Sequence, residues 1–93
     1  MDGGFVESTS NDSAGLTKIS GWKGLVEAKA GTEYASFEPV HYTTQVVAGT
    51  NYKAKVKVSD SEYIHILVFE GFSSAEPTVM SVESGKTLEE ALN

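Results

Sequence analysis

The chain has 93 residues, 40% of them hydrophobic and 22% charged, with a formal net charge of −6 and no cysteine. That length fits one compact domain, and the apolar content is that of an ordinary globular protein. The acidic balance argues against nucleic acid as a partner, and the missing cysteines exclude disulfides, zinc–thiolate sites and a cysteine nucleophile.

The opening stretch, MDGGFVESTSNDSAG, is rich in Gly, Ser, Asn and Asp. It predicts a mobile or extended arm over residues 1–14 of a single domain spanning 1–93. Met1 to Gly4 carries neither a basic n-region nor an apolar h-region, so no signal peptide is expected. No apolar run reaches membrane-spanning length, which leaves a cytoplasmic protein with no membrane partner as the simplest expectation.

From about Leu16 to Ala30 the spacing predicts the one long helix. Ile19, Trp22 and Val26, with Leu25 and the stem of Lys29, mark a face at intervals of three and four. Gly21 and Gly24 each weaken such a helix by about 1 kcal/mol relative to Ala, so packing against a sheet must hold it. Gly31 suits the C-terminal stop.

The remainder reads as strands. From Phe37 to Val47, Val40, Tyr42, Thr44 and Val46 share one face, with His41, Thr43 and Gln45 on the other. Tyr52 to Ser59 alternates more cleanly: Tyr52, Ala54, Val56 and Val58 face inward, and Lys53, Lys55 and Lys57 face outward as in a half-buried antiparallel strand. These lysines are the only basic cluster, and with no aromatic interleaved they do not read as a nucleic-acid site. After a turn at Ser59–Glu62, the stretch YIHILVF (Tyr63–Phe69) is apolar on both faces and suits a central strand. A loop from Gly71 to Pro77 leads to a short strand over Thr78–Val82, and the tail KTLEEALN predicts a frayed helical turn. The fold class is α+β, with one N-terminal helix packed across a four- to five-stranded antiparallel sheet. Trp22, Val56, Val58, Ile64, Ile66 and Val68 are the candidate core.

No catalytic centre emerges. His65 lies mid-strand and His41 in the preceding strand, nothing sets a base beside a nucleophile, and no Gly-x-Ser-x-Gly elbow is present. His65 reads as a strand residue with a satisfied ring. Two histidines without a carboxylate at ligand spacing give no metal site, and Asp60 and Glu62 belong to a turn rather than a calcium loop. An enzyme is not expected, and no cofactor is implied.

The stretch QVVAG (Gln45–Gly49) is unusual for a turn, where Gly, Pro, Asn, Asp and Ser dominate. Its valines either pack beneath a neighbouring loop or stay exposed for a partner to cover. QVVAG fits the Gln-X-Val-X-Gly signature of the cystatins, at a predicted hairpin turn as in that family. Gly3-Gly4 lies upstream of the helix, where stefins keep their N-terminal glycine, and YIHILVFEGF is similar to the stefin strand that leads into the second binding loop. The sequence thus resembles the stefin type of cystatin from Gly3 to about Val82. It departs where stefins usually place Leu-Pro: here the second loop reads Gly71-Phe72-Ser73-Ser74, with Pro77 further on.

The resemblance implies a cystatin-like fold and a reversible, noncovalent inhibitor of papain-like cysteine peptidases such as papain and the lysosomal cathepsins. An arm and two hairpin loops would enter the target's cleft as a wedge. On this basis Gly3 or Gly4 would let the arm turn close to the target, and Val46, Val47 and Ala48 would supply the apolar tip. Gln45 would fix that loop, Gly49 would provide a backbone geometry closed to a Cβ, and Phe72 and Ser73 would represent the second loop. The alternative is a non-inhibitory interaction module on the same fold. A monomer is expected. Val47, β-branched at a tight turn, is a candidate source of strain that a domain-swapped dimer would relieve.

Overall fold

The computed structural model describes residues 13–71 and 76–92. Two helices, α1 (Ser13–Ser20) and α2 (Lys23–Ala30), precede four strands: β1 (Glu38–Val47), β2 (Gly49–Lys57), β3 (Tyr63–Glu70) and β4 (Thr78–Lys86). The strands form one antiparallel sheet in the order β1-β2-β3-β4. An α+β fold with a four-stranded sheet is what the strand patterns predict.

The expected single helix is instead two, and it starts earlier, at Ser13. The cause is local. Ser20 Oγ donates to the Thr17 carbonyl (2.7 Å), competing for an acceptor that the helix ladder uses. The Gly21 amide is shared between the Thr17 and Lys18 carbonyls at 3.3 and 3.2 Å, and the Trp22 amide reaches back only to Ile19 (2.9 Å). The last turn of α1 tightens and ends. Trp22 then restarts the chain, its carbonyl accepting from the Val26 amide at 2.9 Å. The break keeps Ile19, Trp22 and Val26 on one buried face, while Lys29 is exposed and takes no part in it. Gly31 ends α2 as expected, left-handed at φ 75° with its amide on the Glu27 carbonyl.

Across the sheet, Tyr42, Ala54 and Ile66 fall in one row, and Val56 pairs with Ile64 and Tyr52 with Val68 in the rows on either side. With Val58 and the three helix residues, these side chains make the core, and all but the partly buried Tyr52 are at most 8% exposed. Val40 sits in a bulge between Pro39 and His41. A second bulge lies at Met80, between the Leu67–Ser81 and Val68–Val79 pairs. Near Gly85 (φ 71°) the register shifts again, and pairing resumes at Tyr63–Lys86. That glycine lets β4 run four residues beyond the expected end at Val82.

The opposite face of the sheet departs most from expectation. Lys55 is wholly buried, and Thr43 and His65 nearly so. Residues 87–92 form a turn rather than a helix, with the Thr87 amide donating to Glu90 Oε1 at 3.0 Å and the Glu90 amide to the Thr87 carbonyl at 3.3 Å. Lys55 Nζ donates to the carbonyls of Leu88 and Glu90, and the buried Leu92 lies beside Lys53, His65 and Leu67. The tail therefore covers the face that the lysine alternation assigned to water. His65 is not satisfied as expected: its Nε2 is buried with no hydrogen-bond partner among the described residues, as is Thr43 Oγ1. Burial lowers the pKa of Lys55 and of His65, and the Lys55 charge lowers His65 further.

Candidate functional site: the first hairpin and its base

β1 and β2 meet at the signature. Gln45 pairs with Asn51, Val46 with Thr50 and Val47 with Gly49, leaving Ala48 at the tip. Gln45 Oε1 accepts from Asn51 Nδ2 at 2.9 Å, so this glutamine ties the two strands just below the turn. Above that bond the tip is apolar and open. Val46 is 72% exposed and Ala48 is exposed, with none of the described residues folded over either.

Gly49 carries the geometry. Its φ is 134°, and a Cβ there would stand 2.5 Å from the Glu70 carbonyl oxygen and 2.9 Å from the Gly71 Cα. Only hydrogen fits that space, so the first hairpin lies directly on the backbone where the second begins. Among the described residues no non-glycine residue has a positive φ. The unusual backbone angle of this turn is taken by Gly49, and the strain expected at Val47 has no support in the backbone.

Beneath the hairpin, three elements converge. Lys18 Nζ from the last turn of α1 pairs with Glu70 Oε1 at 2.6 Å and donates to Tyr52 Oη at 3.3 Å. The Glu70 hydrogen bond raises the Lys18 pKa, against an opposing effect of partial burial. The ammonium also lies 5.3 Å from the centre of the Tyr52 ring. That ring meets Trp22 edge-on at 5.2 Å and lies 6.1 Å from Tyr42.

Of the expected site residues, Gln45, Val46, Ala48 and Gly49 come together in one hairpin. Gly3, Gly4, Phe72 and Ser73 lie outside the described residues, as does the side chain of Val47. Lys18, Tyr52 and Glu70 were not anticipated as site residues; their one sequence signal was the inward-facing aromatic Tyr52 in β2. His41 and His65 are on the far face of the sheet, paired with Lys55 and away from the hairpin. Among the described residues, no group of three or more His, Cys, Asp or Glu is placed to hold a metal ion. No helix among them is long and apolar enough to cross a membrane.

A helical layer on one antiparallel sheet, with an exposed apolar hairpin at one end, is the architecture that the resemblance implied. The cystatin-domain family model matches residues 25–88. The chain is 42% identical over 72 residues to cystatin-A of Felis catus, spanning 75% of this chain and 74% of that protein. It is 40% identical over 68 residues to stefin-1 of Mus musculus, 72% and 70% of the two chains. It is 44% identical over 54 residues to leukocyte cysteine proteinase inhibitor 1 of Sus scrofa, 58% and 52% of the two. The chain belongs to the cystatin family, in its stefin branch.

Proposed function

We propose that this protein is a reversible, noncovalent inhibitor of papain-like cysteine peptidases, with papain and the lysosomal cathepsins as targets. The observation that carries the reading is the Val46 side chain, 72% exposed at a hairpin tip that Gly49 holds against the start of the second hairpin. An apolar tip already held in one shape loses little conformational freedom on docking, so more of its burial remains as affinity. The family it belongs to, and the name of one pig relative, leukocyte cysteine proteinase inhibitor 1, agree with that reading.

In this reading Val47 and Ala48 enter the cleft with Val46, Gly3 or Gly4 lets the arm pass close to the target, and Phe72 and Ser73 make the second contact. The active form is the monomer. A dimer made by opening the hairpin and exchanging the helical half would lose the tip, so a dimer fraction from size exclusion should not inhibit. A cytoplasmic setting fits a chain without cysteines.

The test is a tight-binding titration against papain and one lysosomal cathepsin. Burying an exposed valine is worth about 1.5–3 kcal/mol, so Val46→Asp should weaken inhibition by about 10- to 100-fold while thermal stability stays unchanged. Equal potency of that variant, or a folded wild type that leaves both enzymes fully active, would refute the reading.

A further inference from the structure

The Lys18–Glu70 pair poses a question of purpose. Its side chains are 43% and 31% exposed, and pairs so open to water contribute little to stability. Yet it joins α1 to the last residue of β3. Glu70 has two attachments at once. Its carboxylate is held by Lys18, with the Tyr52 hydroxyl 3.5 Å away, while its carbonyl oxygen is the atom against which Gly49 packs. Glu70 also pairs across the sheet with Thr50, one residue past Gly49. A sideways shift of this one residue therefore moves the floor on which the first hairpin rests. Tyr52, two residues beyond Thr50, is itself fixed by Trp22 and Tyr42.

We propose that Lys18 and Glu70, with the Tyr52 hydroxyl beside them, are positioning residues that lock the first hairpin to the start of the second and so set the surface offered to a peptidase. Neither needs to touch the target. The inhibitory consequence rests on the function proposed above; the locking itself does not. The clasp is electrostatic and partly open, so salt weakens it, whereas the Gly49 contact is steric and indifferent to salt.

The experiment compares the wild type with Lys18→Met, Glu70→Gln and the charge-swapped pair Lys18→Glu/Glu70→Lys, by titration against papain and by amide hydrogen exchange. Each single variant should weaken inhibition by about 5-fold, chiefly through faster dissociation, with an unchanged melting temperature. Exchange at the amides of Gly49, Thr50 and Glu70 should quicken by a similar factor. The swapped pair should restore both, which loss of two unrelated surface charges would not do. High salt should bring the wild type towards the single variants. Unaltered exchange at those amides in both single variants would overturn the proposal, whether or not the protein inhibits. Quickened exchange with unaltered inhibition would overturn its claim on the binding surface. A wild type without inhibitory activity refutes the proposed function, and the exchange experiment then decides the locking by itself.

Discussion

The two faces of the sheet are built from the same strands and held by different forces. On the helical face, Ile19, Trp22 and Val26 close over Tyr42, Ala54, Val56, Ile64, Ile66 and Val68, and stabilisation comes from removing apolar surface from water. On the other face Thr43, Lys55 and His65 are all buried, and the tail lies over Lys55 and beside His65. There the cover is attached by hydrogen bonds from one ammonium to two backbone carbonyls. Apolar contact tolerates small displacements. A charge in a dry setting does not, because its cost is offset only while its acceptors stay in place.

The comparison is open to direct attack. The largest effect is expected on the helical face: Ile66→Ala should destabilise the protein by about 2–5 kcal/mol in denaturant unfolding, since it empties the middle of the core. On the tail face, Lys55→Ala leaves the Leu88 and Glu90 carbonyls without this donor. It should cost about 1–3 kcal/mol and expose residues 87–92 to proteolysis before the domain unfolds. If the tail stays protected in that variant, Leu92 rather than Lys55 is its anchor.

The smallest effect is a pH slope confined to the tail face. Burial, and then the Lys55 charge, lower the pKa of both His65 and His41 from 6.5. The folded form thus binds these protons less readily than the unfolded chain does. Stability is full above pH 6.5 and is lost as pH falls through the region below it. Melting temperature should drop between pH 7.5 and 5.5, and His65→Gln should flatten the slope. A slope unchanged by that substitution would place the titration elsewhere.

Where the sequence was legible, local rules agreed with the whole. The clean alternation of β2 put Tyr52, Ala54, Val56 and Val58 on the helical side, and the glycine of QVVAG marked a backbone closed to a Cβ. Gly31 ended the helix for the same left-handed reason that recurs at Gly85. The failures share a different cause. Lys55 reads as a solvent residue because its acceptors are backbone carbonyls 33 and 35 positions away, and backbone carbonyls carry no residue identity. The break after Ser20 was hidden because helical spacing survives it, with Ile19, Trp22 and Val26 still in line. The Lys18–Glu70 pair, 52 positions apart, depends on where α1 crosses the sheet, and no periodicity encodes that crossing.

The outer rims of the described sheet carry a last consequence. β4 is interrupted at Met80 and again near Gly85, and β1 by Pro39 and the bulge at Val40. Such interruptions stop a neighbouring chain from zipping along a rim and growing an intermolecular ribbon. Among the described residues only His41 to Val47 offers an unbroken run, and it ends at the exposed tip. Rim-to-rim addition along the described strands would therefore begin beside the surface proposed for a partner, and occupancy of that surface would cap its growth.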